Sequence, residues 1–181
     1  MSGPIGAVLC GGSSRRMGTD KATMVVAGVA MARRVADALI AGGCTSVVAI
    51  GGDSIALRRL GLEFVDDKFP GEGPLGGVLT ALAIECPIVV VVACDLPNLA
   101  PTTVIRLISA LDDHDAAIAH SDRPEPLCAV WSYQAGPPLR KRFEAGERAM
   151  HRAIDGLDVA WVDVAQADVH NINAPGDLGT L

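Results

Sequence analysis

Residues 87–94 read PIVVVVAC, eight consecutive positions without a charged side chain. The run is strand-sized, far short of the roughly 18 uninterrupted apolar residues of a membrane span. Because polar and apolar positions do not alternate in it, both faces of the strand must be covered, as in a parallel sheet with helices above and below. Shorter apolar runs recur at 5–9, 46–50, 62–65, 116–119, 127–133 and 159–162. Between them lie segments with helical spacing, at 31–39, 55–60, 75–85, 101–111, 139–144 and 147–154. Arg33, Arg34 and Asp37 mark the outer side of the first, and Gly42-Gly43 stops it; Gly73 and Pro74 open the third. Strands and helices alternating at these lengths imply right-handed crossovers and a mostly parallel sheet. The expected fold is therefore α/β, a single Rossmann-like three-layer domain over residues 1–181 with helices on both faces of a central sheet. The run 88–93 is expected at its centre, and ligands at the carboxyl ends of the strands. SDRPEP, at 121–126, is too short for a domain linker, and no repeat interrupts the pattern.

Half of the 181 residues are apolar and 3% are aromatic, enough for one aliphatic core. A formal net charge of −6 and few rings to stack on bases argue against a nucleic-acid partner. A small anionic ligand in a local cationic pocket stays compatible with that charge. At the amino terminus the cations follow the apolar stretch, the reverse of a secretory signal, and no membrane partner is expected. Cys10, Cys44, Cys86, Cys94 and Cys128 are odd in number and contain no Cys-x-x-Cys pair, which points to a reducing, cytoplasmic setting and small core residues. His114, His120, His151 and His170 are spread without ligand spacing, so no zinc site is expected.

The loop after the first strand reads AVLCGGSSRRMGTDKA, residues 7–22, and gathers Arg15, Arg16 and Lys21 around glycines in an acidic chain. It is neither G-x-G-x-x-G nor a P-loop, since no G-K-[ST] follows at the required spacing. Ser13 and Ser14 lack the G-x-S-x-G elbow of a hydrolase. What remains is Leu9-Cys10-Gly11-Gly12, where side-chain-free positions let backbone N–H groups approach an anion, followed by flexible cations. Spacing alone also allows a solvated surface turn.

LCGGSSRRMGTDKA resembles the L-x-G-G-x-S-x-R-M-G-x-D-K signature of nucleotidyltransferases, and within them is most similar to the molybdenum cofactor guanylyltransferases. VDDKFPGEGPLGGVLTAL, VVVVACDLPNL, AGERAMHRAI and HNINAPGDL resemble further pieces of that family in the same order, so the likeness spans almost the whole chain. The resemblance implies transfer of GMP from GTP to the phosphate of molybdenum-bearing molybdopterin, with attack at the α-phosphorus and release of pyrophosphate. It implies that Leu9, Cys10, Gly11 and Gly12 line the nucleotide, while Arg16 and Lys21 neutralise the triphosphate and the leaving pyrophosphate. Asp95, directly after the most apolar strand, resembles the family's carboxylate for Mg2+. Asp67 resembles its nucleotide-contacting aspartate, with Asp66 one position away and a loop ion pair to Lys68 as the other reading. Gly73, Gly77, Asn171 and Asn173 match acceptor-side positions, although helix-start and helix-packing glycines and Asx-turns are equally available roles.

Two departures from the family pattern stand out. Cys10 replaces a frequent alanine, and Gly51-Gly52-Asp53 lacks an asparagine that some relatives carry. The double glycine Gly11-Gly12 favours guanylyl over cytidylyl transfer, the alternative being another nucleotide such as CTP, another phosphorylated acceptor, or a module that binds without turnover. Implied partners are GTP, molybdopterin and, transiently, molybdoenzyme maturation proteins.

Overall fold

A computed structural model describes residues 3–11 and 21–172 of the chain. In chain order the elements are β1 (Ile5–Leu9), β2 (Val25–Val26), β3 (Val29–Ala30), α1 (Met31–Ala41), β4 (Ser46–Ile50), α2 (Ser54–Arg59) and β5 (Glu63–Val65). There follow α3 (Pro74–Leu82), β6 (Ile88–Ala93), α4 (Pro101–Ala110), β7 (Ala116–His120), β8 (Pro124–Ser132), α5 (Gly136–Glu144), α6 (Met150–Ala153) and β9 (Val159–Asp163).

Seven strands form one sheet in the order β5-β4-β1-β6-β8-β7-β9, so β6, the most apolar run of the sequence, is the middle strand. All neighbours pair in parallel except at β8, which runs antiparallel to both β6 and β7. This is the mostly parallel α/β sheet expected from the alternation of strands and helices. Residue parity divides the core into two layers. Val8, Cys10, Val90, Val92, Cys128 and Val130 face α1, α2 and α4. Ala7, Leu9, Val89, Val91, Ala129 and Trp131 face α3, α5 and α6. All five cysteines are free and buried, as small core residues should be. Burial pushes the Cys128 thiol up to about 12, and burial together with neighbouring Cys86 does the same to Cys44, so neither offers a thiolate near neutrality. Among the described residues no helix is long and apolar enough to cross a membrane.

Three departures from the sequence reading have local causes. β2 and β3 form a small antiparallel hairpin that was not anticipated; its turn residues Ala27 and Gly28 have φ of 49° and 83°, the pairing that a two-residue hairpin turn requires. β8 starts at Pro124 rather than 127. Its first residues pair with β7 alone, the β6 ladder ending at Val92 opposite Cys128, so Pro124 and Pro126 sit where a ladder donor is missing without cost. Helix α6 starts at Met150 rather than 147, because the Glu147 carboxylate accepts the backbone N–H groups of Arg148 and Ala149, both at 2.8 Å, and the chain turns there.

Gly77 belongs to the packing of α3 on β1. A Cβ at this position would lie 3.2 Å from Leu9 Cδ2 and 3.3 Å from Cδ1. Gly77→Leu is therefore expected to lower stability by about 1–3 kcal/mol through overpacking, read as a lower urea midpoint, with Gly77→Ala close to neutral.

Candidate active site

Three parallel strands end side by side, since Leu9 is in register with both Ile50 and Ala93. Beyond β1, the N–H groups of Cys10 and Gly11 both donate to Ile50 O, at 2.9 and 3.1 Å, and Leu9 O accepts from Cys94 N at 3.1 Å. The amides of Cys10 and Gly11 are thus used inside the fold, which corrects the expectation that they are open to an anion. Gly51, with φ of 68°, lies flat on Gly11: a Cβ on it would come within 3.1 Å of Gly11 Cα. Leu9 and Cys10 are buried, whereas Gly11 is exposed at the mouth of the loop. Gly12 and Arg16 lie outside the described residues.

Asp67 follows β5 and is the aspartate that faces this glycine. Its Oδ2 lies 3.6 Å from the place a Gly11 Cβ would take, while Asp66 is exposed. Its Oδ1 accepts from Phe69 N at 2.9 Å and from the Thr80 hydroxyl at 3.1 Å. Thr80, 1% exposed on α3, also accepts from Lys68 N at 3.1 Å and lies 2.9 Å from Gly76 O. A buried hydroxyl, in place of an ion pair with Lys68, therefore sets the Asp67 carboxylate. Nothing in the sequence reading marked Thr80; its one signal is a polar residue at helical spacing inside LGGVLTAL. Asp53, on the neighbouring loop, is spent on capping α2 through Ile55 N at 2.9 Å and Ala56 N at 3.1 Å.

Asp95 sits in the turn after β6. Its Oδ2 is 3.4 Å from Lys21 Nζ, and each side chain is 22% exposed, so the pair is partly open to solvent. Lys21 itself belongs to a short 3-10 turn whose Ala22 is buried in the core. Arg34 of α1 donates from Nε to Pro97 O at 2.9 Å, and Ile172 N donates to Asp95 O at 2.9 Å. The Ile172 side chain is buried with Val26 and Met31. Asn171 is thereby carried to the edge of the Asp95 turn, and Asn173 lies outside the described residues.

Gly73, with φ of 82°, opens α3 at the same edge of the sheet, on the face opposite α1. Arg148 braces the loop before it: Nε pairs with Glu72 Oε2 at 2.6 Å, Nη1 donates to Phe143 O at 2.7 Å, and the guanidinium lies 4.0 Å from the Phe143 ring centroid. Glu147 in turn holds Arg152 at 2.6 Å; that hydrogen bond and the backbone donors keep its carboxyl down at about 2. Asn171 is thus brought beside the Asp95 turn and Gly73 lies beside Arg148, whereas Gly77 is turned into the core. Among the described residues no three metal-ligating side chains cluster.

A mostly parallel sheet with its glycine turn, its Lys21–Asp95 pair and Asp67 at one carboxyl edge is the architecture of an α/β nucleotidyltransferase. The chain belongs to the family described as the MobA-like NTP transferase domain, whose model matches residues 6–161. It is 34% identical to a probable molybdenum cofactor guanylyltransferase of Chloroflexus aggregans, over 96% of this chain and 90% of that protein. It is 32% identical to the molybdenum cofactor guanylyltransferase of Rhodobacter capsulatus, over 96% and 92%. Among solved structures, molybdopterin-guanine dinucleotide biosynthesis protein A of Archaeoglobus fulgidus matches with a TM-score of 0.79 and 27% identity, over 97% of this chain and 95% of that one. A cytidylyltransferase of Thermus thermophilus shares the fold, with a TM-score of 0.73 and 16% identity over 96% and 94%.

Replacing Thr80 by valine leaves Lys68 N–H without its partner and removes one of the two donors to Asp67 Oδ1. The expected loss is about 1–3 kcal/mol in the unfolding free energy, largely restored by serine. Equal urea midpoints for wild type and Thr80→Val would remove the hydroxyl from its supporting role.

Proposed function

We propose that this protein, acting as a single domain, transfers GMP from GTP to the phosphate of molybdenum-bearing molybdopterin. The observation that carries this reading is the Lys21–Asp95 pair at the end of β6, with Gly11 and Asp67 to one side and Asn171 to the other. An oxygen of the acceptor phosphate attacks the α-phosphorus of GTP, the bond from that phosphorus to the β-bridging oxygen breaks, and pyrophosphate leaves. Lys21, with Arg16, offsets the charge that accumulates on the leaving pyrophosphate, a role in which fixed charge counts for more than in water. The nucleotide lies over Leu9, Cys10, Gly11 and Gly12 with Asp67 at its flank.

The residues present suit Mg2+: a partly accessible carboxylate at Asp95 beside a phosphate site is the usual protein share of such a site, the phosphates supplying the rest. Bound there, Mg2+ supplies positive charge to the triphosphate oxygens. Gly73, Asn171 and Asn173 form the acceptor side. The reading keeps guanine over cytosine because the named relatives are guanylyltransferases and because Gly11-Gly12 is the glycine pair of that group. Five free cysteines suit a cytoplasmic enzyme, which would hand its product to molybdoenzyme maturation proteins.

Lys21→Ala and Asp95→Asn are each expected to reduce pyrophosphate release by about 100- to 1,000-fold while the fold survives, because both side chains lie in turns outside the sheet. Titration with GTP, CTP, ATP and UTP in Mg2+ should show GTP selected. Asn171→Ala with Asn173→Ala should leave GTP affinity unchanged and weaken guanylyl transfer through the acceptor. CTP binding as tightly as GTP, or wild-type turnover by both charge variants, would sink the reading.

A further inference from the structure

The two oxygens of Asp67 are used differently. Oδ1 accepts the Phe69 amide at 2.9 Å and the Thr80 hydroxyl at 3.1 Å. Oδ2 takes neither of these donors and faces the glycines instead, 3.6 Å from the place a Gly11 Cβ would occupy. A Cβ on Gly51 would lie 3.1 Å from Gly11 Cα and 3.5 Å from Asp67 Cβ, so the surface beside Oδ2 is bare backbone. The other carboxylates on the loops after β4 and β5 are not built in this way. Asp53 spends its Oδ1 on the amides of Ile55 and Ala56, and Asp66 is exposed.

Thr80, buried on α3, fixes that difference. Its hydroxyl accepts from Lys68 N at 3.1 Å and lies 3.1 Å from Asp67 Oδ1 and 2.9 Å from Gly76 O. A hydroxyl has one proton to give, and an ionised carboxylate is a stronger acceptor than a carbonyl. Phe69 also lies hard against the helix, since a Cβ on Gly76 would come within 2.8 Å of its Cβ. Helix α3 thus grips the loop at three consecutive residues: Asp67 through Oδ1, Lys68 through its amide and Phe69 through contact with Gly76. Resting on the reading above, in which the nucleotide lies over Gly11 with Asp67 at its flank, we propose that Thr80 is a positioning residue for the guanylyl donor. By holding Oδ1 it presents Oδ2 over the glycine floor, where Oδ2 accepts from the nucleoside, either from the 2-amino group of the base or from a ribose hydroxyl. The phosphate chemistry belongs to Lys21 and Asp95, so Thr80 acts on nucleotide affinity and leaves turnover alone.

The test is calorimetric titration of the folded protein with GTP in Mg2+, followed by steady-state transfer kinetics. Thr80→Val should weaken GTP binding and raise the GTP KM roughly tenfold, with kcat and the acceptor KM within about twofold of wild type. Thr80→Ser should recover most of the affinity. Thr80→Cys, whose S–H is a weaker donor, should fall between the two and replaces valine if that variant does not fold. A hydroxyl that only supports the helix would lower the urea midpoint without moving GTP affinity. Wild-type affinity in a folded valine or cysteine variant therefore overturns the proposal and leaves the proposed function standing. ITP lacks the 2-amino group and 2′,3′-dideoxy-GTP lacks the ribose hydroxyls. The variant's loss should shrink for whichever analogue lacks the group that Oδ2 meets, and a loss equal for GTP and both analogues rejects the presentation of Oδ2. If wild type binds another nucleoside triphosphate in place of GTP, the guanylyl reading fails and the same comparison with that nucleotide decides Thr80. If it binds none, both fall.

Discussion

One carbonyl oxygen, that of Ile50, accepts both the Cys10 and the Gly11 amides, and much of the site follows from that turn. It bends the chain off β1 directly over β4, so Gly11 must lie on Gly51 with no side chain between them. Asp67, one strand farther out, then meets Gly11. On the other side the Leu9 carbonyl takes the Cys94 amide and draws the chain after β6 past the end of β1, placing Asp95 in the next turn. Leu9 points its side chain to the opposite layer, where Gly77 lets α3 approach closely. That approach brings Thr80, nearly one helical turn on, against Asp67. Two glycine contacts and one shared acceptor thus link the Gly11 turn, the Asp67 carboxylate and the Asp95 turn to a single strand end.

Charge is distributed by task in this acidic chain. Four of the described arginines serve as braces: Arg33 on Asp37, Arg142 on the carbonyls of Arg152 and Asp155, Arg148 on Glu72, Arg152 on Glu147. Such solvent-facing pairs add little stability, typically under about 1 kcal/mol each, and their value here is direction. The Arg148 brace holds the loop that carries the chain from Asp67 to Gly73. Glu147 shows the accompanying pH dependence. Its folded pKa lies below the ordinary glutamate value, so its contribution is complete above that ordinary value and is lost as pH falls toward about 2.

The layered fold was legible because apolar runs and helical spacing are one-dimensional signals; the runs at 5–9, 46–50 and 88–93 match their strands residue for residue. Strand direction is not such a signal. Nothing in LCAVWS says that β8 runs against its neighbours, and prolines at 124 and 126 read as a break until the one-sided pairing is seen. VVAGVA was too short to register as a hairpin, since its two-residue strands carry no period. In the site, Lys21 and Asp95 were readable from motif position and are 3.4 Å apart in space. Asp67 could be separated from Asp66 only by contact with Gly11, and Thr80 only by burial. Gly77 shows the opposite case, a motif glycine whose place is explained by Leu9 packed against it in the same core layer.

The two sides of the edge differ in how they are built. The proposed donor side rests on strand ends and backbone contacts. The proposed acceptor side rests on the segment after β9, anchored by a 3-10 turn from Gln166 to Val169, by Ile172 among Val26 and Met31, and by one amide on Asp95. That amide makes the acceptor segment and the Asp95 turn a single mechanical unit, to which the β2–β3 hairpin is joined through the same isoleucine. The Asp95 turn and Asn171 thus share one anchor, the Ile172 amide on Asp95 O, beside the buried Ile172 side chain.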